Sequence, residues 1–315
     1  MITVKIHGGL GNQMFQHAFA RALALRTNSD LKIDPGALYD TTPRGYEKYR
    51  KLDKTRRRFE KYRDYGISTA FAIDPPWNAW AKFTKAVPTP YFSAVMNKYY
   101  GKVFGKLGFW RYVKDEPTMR FNPAFLNLTG NLYLDGFWRS EKYFADQAEA
   151  IRKDFTFRHR LEGEAAKLGD EIATQNSVCL HVRRGDNVWN IPGSQKTHIM
   201  SPMSYYDRAL ALMKEKIGRD FKLYIFSDDP AWCIENMKFD VPYAFVGDEL
   251  AGEQDRDHLQ LMSLSKHFII PESTFSWWAA WLSQNKNKVI ICPDVMFKDK
   301  TLETKDIIPE GWLRI

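Results

Sequence analysis

A short stretch near the middle of the chain combines an apolar run with two adjacent guanidinium groups and a carboxylate. It covers residues 178–187 and reads VCLHVRRGDN. The β-branched, apolar run predicts a buried strand, and the polar residues follow it directly. Open α/β sheets bind ligands at the carboxyl ends of their strands. Arg183, Arg184 and Asp186 therefore indicate a phosphorylated ligand and a proton acceptor, although a surface ion pair after a core strand explains them equally well.

A second candidate phosphate site follows the predicted strand Ile2–Ile6. The loop at 7–13 reads HGGLGNQ, and we expect a helix to open near Asn12, a residue type that often caps helices. A strand, a glycine turn and a helix place free N–H groups and the positive end of a helix dipole around a phosphate. The loop is neither a Walker A sequence nor a full GxGxxG, so a tight turn with close helix packing remains the simpler interpretation.

The order of predicted elements indicates an α/β fold. Helices alternate with strands after Ser177, and such alternation is typical of a parallel sheet covered on both faces. These strands are expected at 178–182, 222–226, 243–246, 267–270 and 288–292. Earlier strands are expected at 2–6, 31–34 and 132–138, and helices at 141–155 and 158–173. The aromatic, basic and proline-rich region 35–131 predicts irregular helices and long loops, which often carry function.

Five polar clusters come directly after predicted strands or before predicted helices. They are HGGLGNQ, RRGD at 183–186, SDD at 227–229, DRD at 255–257 and ESTFS at 272–276. In a doubly wound sheet such loops open on one edge, so we expect the clusters to converge. Together they describe a pyrophosphate held by arginine and backbone, with carboxylates left to bind a base or ribose.

Each part of this constellation has a structural alternative. Asp228 and Asp229 could cap the next helix, and Ser273 could be only an N-cap. His181 could be a core histidine. The tryptophans at 277, 278 and 281 are expected in the core rather than at a ligand.

Composition narrows the class of protein. The net charge is +8, and the segment 44–64 alone holds ten Lys or Arg against four Asp or Glu. That segment could face nucleic acid, an anionic membrane or an acidic ligand, or be a solvated helical face. The three cysteines show no CxxC spacing, which predicts buried, reduced thiols and no zinc site. Without a signal-peptide pattern or an apolar run of membrane-spanning length, we expect a cytoplasmic protein.

Four motifs together resemble the α-1,2-fucosyltransferases of glycosyltransferase family 11. They are GGLGNQMFQHAFARALA at 8–24, HVRRGD at 181–186, FSDD at 226–229 and STFSWWAAWL at 273–282. The resemblance implies a glycosyltransferase B architecture, in which two Rossmann-like domains face each other across a cleft. An acceptor-side domain would cover 1–160, with an irregular insertion at 35–130, and a GDP-fucose-binding domain would cover 175–315.

The resemblance also implies an inverting, metal-independent transfer of L-fucose from GDP-β-L-fucose to the 2-hydroxyl of a terminal β-galactoside. Arg183 would contact the β-phosphate, Asp257 would hold guanine, and His181 would lie nearby. Asp186 is the first candidate for the base, although it could instead anchor Arg184. The implied donor-binding set is Gly8, Gly9, Gly11, Asn12, Gln13, Arg183, Arg184, Asp228, Asp257, Ser273, Thr274 and Ser276.

Three other functions stay open at this point. The chain could use another nucleotide sugar. It could be a histidine-type phosphatase, but that chemistry needs Arg-His-Gly in sequence, and here the order is His-Val-Arg-Arg-Gly-Asp. It could also be a noncatalytic glycan-binding or nucleic-acid-binding protein that uses the region 44–112; we expect no nucleic acid partner. Residues 44–63 are further expected to contact the inner face of an anionic membrane, where the acceptor would be lipid-linked.

Overall fold

The computed structural model describes residues 1–35, 65–74, 102–103, 105–116, 118–184 and 200–315. The predictions for Asp186 and for the basic segment 44–63 lie outside these residues. The chain divides into two compact units. Unit 1 is Met1–Arg158 with Lys305–Ile307, and unit 2 is His159–Thr304 with Ile308–Ile315. Each unit contains one parallel sheet, so the predicted α/β class is confirmed.

Unit 1 is built on a four-stranded sheet in the order β2-β1-β4-β3. Its strands are β1 (Ile2–Lys5), β2 (Leu31–Asp34), β3 (Arg111–Lys114) and β4 (Leu132–Asp135). Its α-helices are α1 (Leu10–Arg26), α2 (Ile67–Ala70) and α3 (Ala148–Asp154). Short 3-10 turns lie at Pro123–Asn127, Glu141–Tyr143 and Ala145–Gln147. Strand β3 falls in the region predicted to be irregular.

Helix α1 buries one aromatic face, because Phe15 and Phe19 lie four positions apart along the helix. Phe15 and Phe19 are fully buried, and Phe19 stacks on Trp138 with ring centroids 4.7 Å apart. Leu25 is exposed, one residue before the helix ends at Arg26. The helix also begins earlier than expected, at Leu10 with Gly9 as its N-cap, so Asn12 lies in the first turn.

The helix predicted over 141–155 is only partly present. Two 3-10 turns precede α3, and Phe144 between them has φ −140° and ψ 10°, which is outside the helical region. Its ring is fully buried, 6.3 Å from that of Phe15. Packing of this side chain therefore overrides local helix propensity.

Unit 2 is built on a six-stranded sheet in the order β10-β9-β8-β5-β6-β7. Its strands are β5 (Ser177–Val182), β6 (Lys222–Ser227), β7 (Tyr243–Phe245), β8 (His267–Ile269), β9 (Ile290–Cys292) and β10 (Leu313–Arg314). Its helices are α4 (Gly163–Thr174), α5 (Met203–Ile217), α6 (Pro230–Asn236), α7 (Arg256–Ser263) and α8 (Thr274–Leu282). Further 3-10 turns lie at Asp248–Leu250 and Glu253–Asp255. Counted from β5, this is the strand order 3-2-1-4-5-6 of the Rossmann fold.

Both faces of β5 are covered, as a strand at the centre of a parallel sheet requires. All six of its residues are buried, and Val178 and Leu180 belong to a cluster with Tyr205 and Met213 of α5. The three tryptophans of α8 are buried against one another and near Trp312, which confirms that they are core residues. All three cysteines are buried and free, as the sequence predicts.

Tyr205 links the ends of two strands of the unit 2 sheet. Its hydroxyl lies 2.5 Å from the carbonyl oxygen of Ile270 and 3.2 Å from that of Ile291, and all these atoms are buried. The hydroxyl of Tyr224, by contrast, bonds the partly exposed Glu171.

We expect Tyr205→Phe to lower the free energy of unfolding by about 1–3 kcal/mol, because it removes the hydroxyl that donates to the buried carbonyl of Ile270. The carbonyl of Ile291 keeps the backbone N–H of Ile270 as a donor. Urea denaturation of the full chain measures this change. Tyr224→Phe is the matched control and should cost less, because water can replace the lost hydroxyl at Glu171. Equal losses in the two variants would contradict the prediction.

Candidate active site

Four of the five polar clusters lie at the carboxyl edge of the unit 2 sheet. Arg183 and Arg184 follow β5, Asp228 follows β6, Asp257 begins α7 after β7, and Ser273 follows β8. Chain connections diverge between β5 and β8, and this switch point is where doubly wound sheets form their ligand crevice. The fifth cluster, HGGLGNQ, belongs to the unit 1 sheet, so the expected convergence of all five at one sheet edge is wrong.

An ion pair joins the first two of these clusters. Parallel pairing sets Val182 opposite Ser227, so the next residues on the two strands are Arg183 and Asp228. Nη1 of Arg183 lies 2.6 Å from Oδ2 of Asp228. The aspartate is 7% exposed and the arginine 28%, so solvent still reaches the guanidinium. The other oxygen of Asp228 accepts the backbone N–H of Arg184 at 2.9 Å, which fixes the turn after β5.

Arg184 is held on two sides by α6. Its Nε donates to Oδ2 of Asp229 at 3.1 Å, and its Cζ lies 3.6 Å from the ring centroid of Trp232. Asp229 in turn accepts the N–H of Trp232 and so caps the helix. These contacts are those of a supporting residue, and they give Asp229 the capping role that the sequence left open for the two aspartates.

His181 is buried at the end of β5. Burial, together with the charges of Arg183 and His258, lowers its pKa to about 3. The imidazole is therefore neutral. Its Nδ1 has no hydrogen-bond partner within the described part of the chain, and its ring centroid lies 6.3 Å from that of Phe275 in α8.

The start of α8 lies beside the switch point. Ser273 is its N-cap in extended conformation, but the side chain makes no capping hydrogen bond. The hydroxyl of Ser276 donates to the carbonyl of Ser273 at 3.3 Å and so is used within the helix. The first N–H groups of a helix, here from Thr274 onward, have no partner in the helix and suit an anion.

Asp257 lies in the first turn of α7, in a tightly packed turn. It accepts a hydrogen bond from Nε of Arg256 at 3.2 Å. A Cβ on Gly252 would come within 2.2 Å of Oδ2 of Asp257, and Gly252 has φ 66°. Both the close approach and the left-handed conformation therefore require glycine there. None of the other residues predicted to bind the donor, all of which the structure describes, is hydrogen-bonded to the carboxylate of Asp257.

The glycine loop of unit 1 is tied by a glutamine. Gln13 donates through Nε2 to the carbonyl of Gly8 at 3.0 Å and accepts the N–H of Gly66 at 2.9 Å. Gly8 has φ 82°, and a Cβ there would lie 2.9 Å from Nδ2 of Asn12. Gln13 thus holds the loop in shape, while contact between Gly8, Gly9, Gly11 or Asn12 and a phosphate stays a prediction.

Unit 1 also contains a polar cavity of about 270 Å³ that the sequence did not reveal. It lies where β1, β3 and β4 end. The residues that line it are His7, Lys114, Asp115, Glu116, Met119, Asp135, Gly136, Phe137 and Arg139. His7 begins the HGGLGNQ cluster, whereas the other lining residues belong to no cluster predicted from sequence, because only strand pairing brings them together.

Asp135 is the most heavily paired carboxylate of this cavity. Its Oδ2 accepts hydrogen bonds from Nζ of Lys5 at 3.1 Å and from the hydroxyl of Tyr112. Burial raises its pKa, but the bond from Tyr112 and the charge of Lys5 outweigh burial and hold the pKa below its usual value. Its Oδ1 lies 4.0 Å from Nε2 of His7. Burial and the charge of Lys5 lower the pKa of His7 to about 4, so this imidazole is neutral.

Asp115 has a structural role at the same cavity. Its carboxylate accepts the backbone N–H groups of Glu116, Phe137 and Trp138 at 2.8–3.0 Å. Burial nevertheless keeps its pKa above the usual value. A Cβ on Gly136 would come within 2.2 Å of the Cβ of Asp115, so this approach requires glycine at 136.

Comparison with known proteins identifies the family. The model of the family described as glycosyl transferase family 11 matches residues 118–315. The α-1,2-colitosyltransferase of Escherichia coli is 30% identical over 100% of this chain and 99% of its own length. This chain belongs to glycosyltransferase family 11, and it is therefore an enzyme of glycosyl transfer.

Two further proteins are similar to this chain. The galactoside α-(1,2)-fucosyltransferase 1 of Rattus norvegicus is 30% identical over 48% of this chain and 42% of its own length. A crystal structure of the α-1,6-fucosyltransferase NodZ from Bradyrhizobium, soaked with GDP-fucose, is 14% identical, with a TM-score of 0.48. That match covers 89% of this chain and 92% of NodZ.

The described residues lack two features, one for metal binding and one for crossing a membrane. In the described ranges, no three His, Cys, Asp or Glu side chains are grouped as metal ligands. No described helix is long and apolar enough to cross a membrane.

The buried, neutral His181 should make stability depend on pH. Its pKa is about 3 in the folded chain and 6.5 when unperturbed, so the unfolded chain binds the extra proton between these values. The contribution is fully present above pH 6.5 and is lost as the pH falls toward 3, at roughly 1 kcal/mol per pH unit.

His181→Gln should therefore lose less stability than the parent protein between about pH 7 and about pH 5, as urea denaturation measures. His159→Gln, at an exposed position, is the control. The same pH dependence in His181→Gln as in the parent would contradict a lowered pKa of His181 in the folded chain.

Proposed function

We propose that this enzyme transfers L-fucose from GDP-β-L-fucose to the 2-hydroxyl of a terminal β-galactoside with inversion, and that it needs no metal ion. The observation that carries the proposal is Arg183 at the switch point of a Rossmann-ordered sheet, beside the start of α8. The family supplies the reaction class, and the names of the relatives supply the α-1,2 linkage.

The bond that breaks joins the anomeric carbon of fucose to an oxygen of the β-phosphate, and GDP leaves with the bonding electrons. Negative charge therefore grows on the β-phosphate as the acceptor hydroxyl attacks. The guanidinium of Arg183 and the N–H groups at the start of α8 stabilise this charge. They supply the positive charge that a divalent ion supplies in other transferases, which supports metal independence.

Asp228 sets the position of Arg183 in this mechanism. It binds the guanidinium edge and the backbone of the next residue at once, so the arginine is oriented before the donor binds. Preorganised donors of this kind need no rearrangement as charge develops. His181 lies on the same strand and, because it is neutral, adds no charge beside Arg183. Asp257 is proposed to hold guanine, and Ser273 and Thr274 the pyrophosphate.

The attacking hydroxyl must lose its proton to a base. Asp186 is proposed for this step. It follows Arg183 by three residues in the sequence, directly after the strand that carries the arginine.

A second candidate donor sugar is colitose, which is L-fucose without its 3-hydroxyl. The full-length similarity to an α-1,2-colitosyltransferase favours it. A site that hydrogen-bonds the 3-hydroxyl would reject the deoxy sugar by about 10⁴-fold or more in kcat/KM, whereas an apolar pocket would discriminate by roughly a hundredfold or less. The ratio of kcat/KM for GDP-fucose and GDP-colitose therefore decides between the two donors.

The acceptor is proposed to be lipid-linked, and the basic segment 44–63 to hold the enzyme at the cytoplasmic face of an anionic membrane. Ten Lys or Arg in residues 44–64 support this, since each cation near such a surface contributes about 1 kcal/mol. Equal flotation of the parent and of a charge-reversed variant with anionic vesicles would argue against it.

Incubation with GDP-fucose and a panel of β-galactosides should yield a product with an α-1,2 linkage, identified by linkage analysis. Turnover should persist in excess EDTA. No transfer to any galactoside, or loss of turnover that Mg²⁺ or Mn²⁺ restores, would refute the corresponding part of the proposal.

Arg183→Ala should lower kcat by about a hundredfold to a thousandfold, because a donor to the leaving phosphate is lost. Arg219→Ala is the matched control. Arg219 is also paired with an aspartate, Asp240, but it precedes β6 and so lies at the opposite edge of the same sheet. Near-normal turnover of a folded Arg183→Ala protein would remove this residue from the mechanism.

A further inference from the structure

The polar cavity of unit 1 has the position of a binding site. His7 follows β1, Asp115 follows β3, and Asp135 ends β4, so its walls come from the carboxyl ends of three neighbouring parallel strands. Ligands of open α/β sheets bind at this edge. The loop predicted to contact a phosphate directly follows His7, but Arg183 and the start of α8, which are proposed to stabilise the leaving group, lie at the unit 2 sheet. The cavity therefore has no role in the proposed leaving-group chemistry.

The size of the cavity limits its ligand. Its volume of about 270 Å³ is below the roughly 300–1,000 Å³ of pockets that hold drug-sized molecules. A single sugar ring is a suitable occupant, whereas a sugar nucleotide is too large.

The charges around the cavity favour a neutral ligand. Two cationic and three anionic side chains line it, and a further cation, Lys5, pairs with one of the anions. The cations in the wall are Lys114 and Arg139, and the anions are Asp115, Glu116 and Asp135. Positive and negative charges thus balance, in contrast to the arginine pair beside the unit 2 sheet. A phosphate would gain little here, but a polyol could use donors and acceptors of both kinds.

Two atoms of the cavity wall are placed to bind a hydroxyl group. Oδ2 of Asp135 is occupied by Lys5 and Tyr112, whereas Oδ1 lies toward His7 at a distance too long for a hydrogen bond. Nε2 of His7 is buried and has no hydrogen-bond partner among the residues that the structure describes. A buried polar atom without a partner is costly, so a ligand that supplies one is favoured.

The ring of His7 is held in place for this role. It packs on Phe137 with centroids 4.4 Å apart, and Arg139 lies over the same phenyl ring at 4.5 Å. The backbone N–H of His7 donates to Gln16 in α1 at 3.0 Å. Hydrogen bonds from Lys5 and Tyr112 hold the carboxylate of Asp135 in place. The two polar atoms thus have preset positions, which reduces the entropy that binding must overcome.

We propose that this cavity is the acceptor subsite, in which Asp135 and His7 bind hydroxyl groups of the terminal galactose ring. The assignment rests on the proposed function for the identity of the sugar. Oδ1 of Asp135 accepts a hydrogen bond from one hydroxyl, and Nε2 of the neutral His7 bonds another. Asp115, whose oxygens accept three backbone N–H groups, shapes the wall and does not bind the sugar.

Direct binding of methyl β-D-galactopyranoside to the full chain tests this subsite without any donor. Saturation-transfer NMR gives the affinity for the parent and for Asp135→Asn. The asparagine can keep an oxygen toward Lys5 and Tyr112, but it turns the second acceptor into a donor. Asp146→Asn is the matched control, because Asp146 is also paired in unit 1, with Arg26, but lies outside the cavity.

Asp135→Asn should weaken galactoside binding at least about tenfold, a loss of about 1.4 kcal/mol or more, while GDP affinity and galactoside binding by Asp146→Asn stay unchanged. If Asp135→Asn does not fold by circular dichroism, His7→Phe, which keeps a ring against Phe137 but removes the polar atom, is measured instead, with the same expectation. Parent-like galactoside binding by the folded variant, or no galactoside binding by the parent, would overturn the subsite.

Transfer from GDP-fucose is measured separately from galactoside binding. Galactoside binding that depends on Asp135, without transfer from GDP-fucose, would uphold the subsite and refute the proposed donor. Transfer of fucose that is insensitive to Asp135→Asn and His7→Phe would uphold the function and refute the subsite.

Discussion

The ion pair between Arg183 and Asp228 is the contact on which the candidate donor site depends. It exists because β5 and β6 pair in a register that aligns Val182 with Ser227. A shift of one residue would send the arginine to the opposite face of the sheet. Asp228 is nearly buried and uses both oxygens, so removal of either partner would leave a charge that water cannot fully solvate.

Strand pairing explains how much of this site the sequence could predict. The apolar run that ends at His181 predicts β5, and the arginines after it must lie at the carboxyl edge. Which aspartate of SDD meets which arginine depends on register. The structure gives Asp228 to Arg183 and Asp229 to both Arg184 and the start of α6. Local sequence treats the two carboxylates as equivalent caps, because capping propensity does not depend on a neighbouring strand.

The sequence could not predict the cavity of unit 1, because the cavity also depends on strand pairing. Asp115 follows a four-residue strand, RYVK, whose outward-facing residues are charged and which lies at the edge of its sheet. So short and polar a segment has no apolar period that would identify it as a strand. Without β3, nothing places Asp115 beside Asp135, whereas Asp135 comes near His7 through the pairing of β1 with β4. Motif matching finds residues that are neighbours in sequence, whereas this cavity is assembled by tertiary pairing alone.

The two sheets present different electrostatic surfaces at equivalent edges, and this difference fits a transferase of two unlike substrates. The edge of unit 2 places a cationic side chain beside a helix start, where a diphosphate gains most. The cavity of unit 1 instead balances its charges internally, with Lys5 held by Asp135. Because the charges of the wall balance, a free anion gains less there than beside the arginines of unit 2. The same carboxylate that repels a phosphate accepts a hydroxyl, so one residue can favour the neutral sugar and exclude the sugar nucleotide.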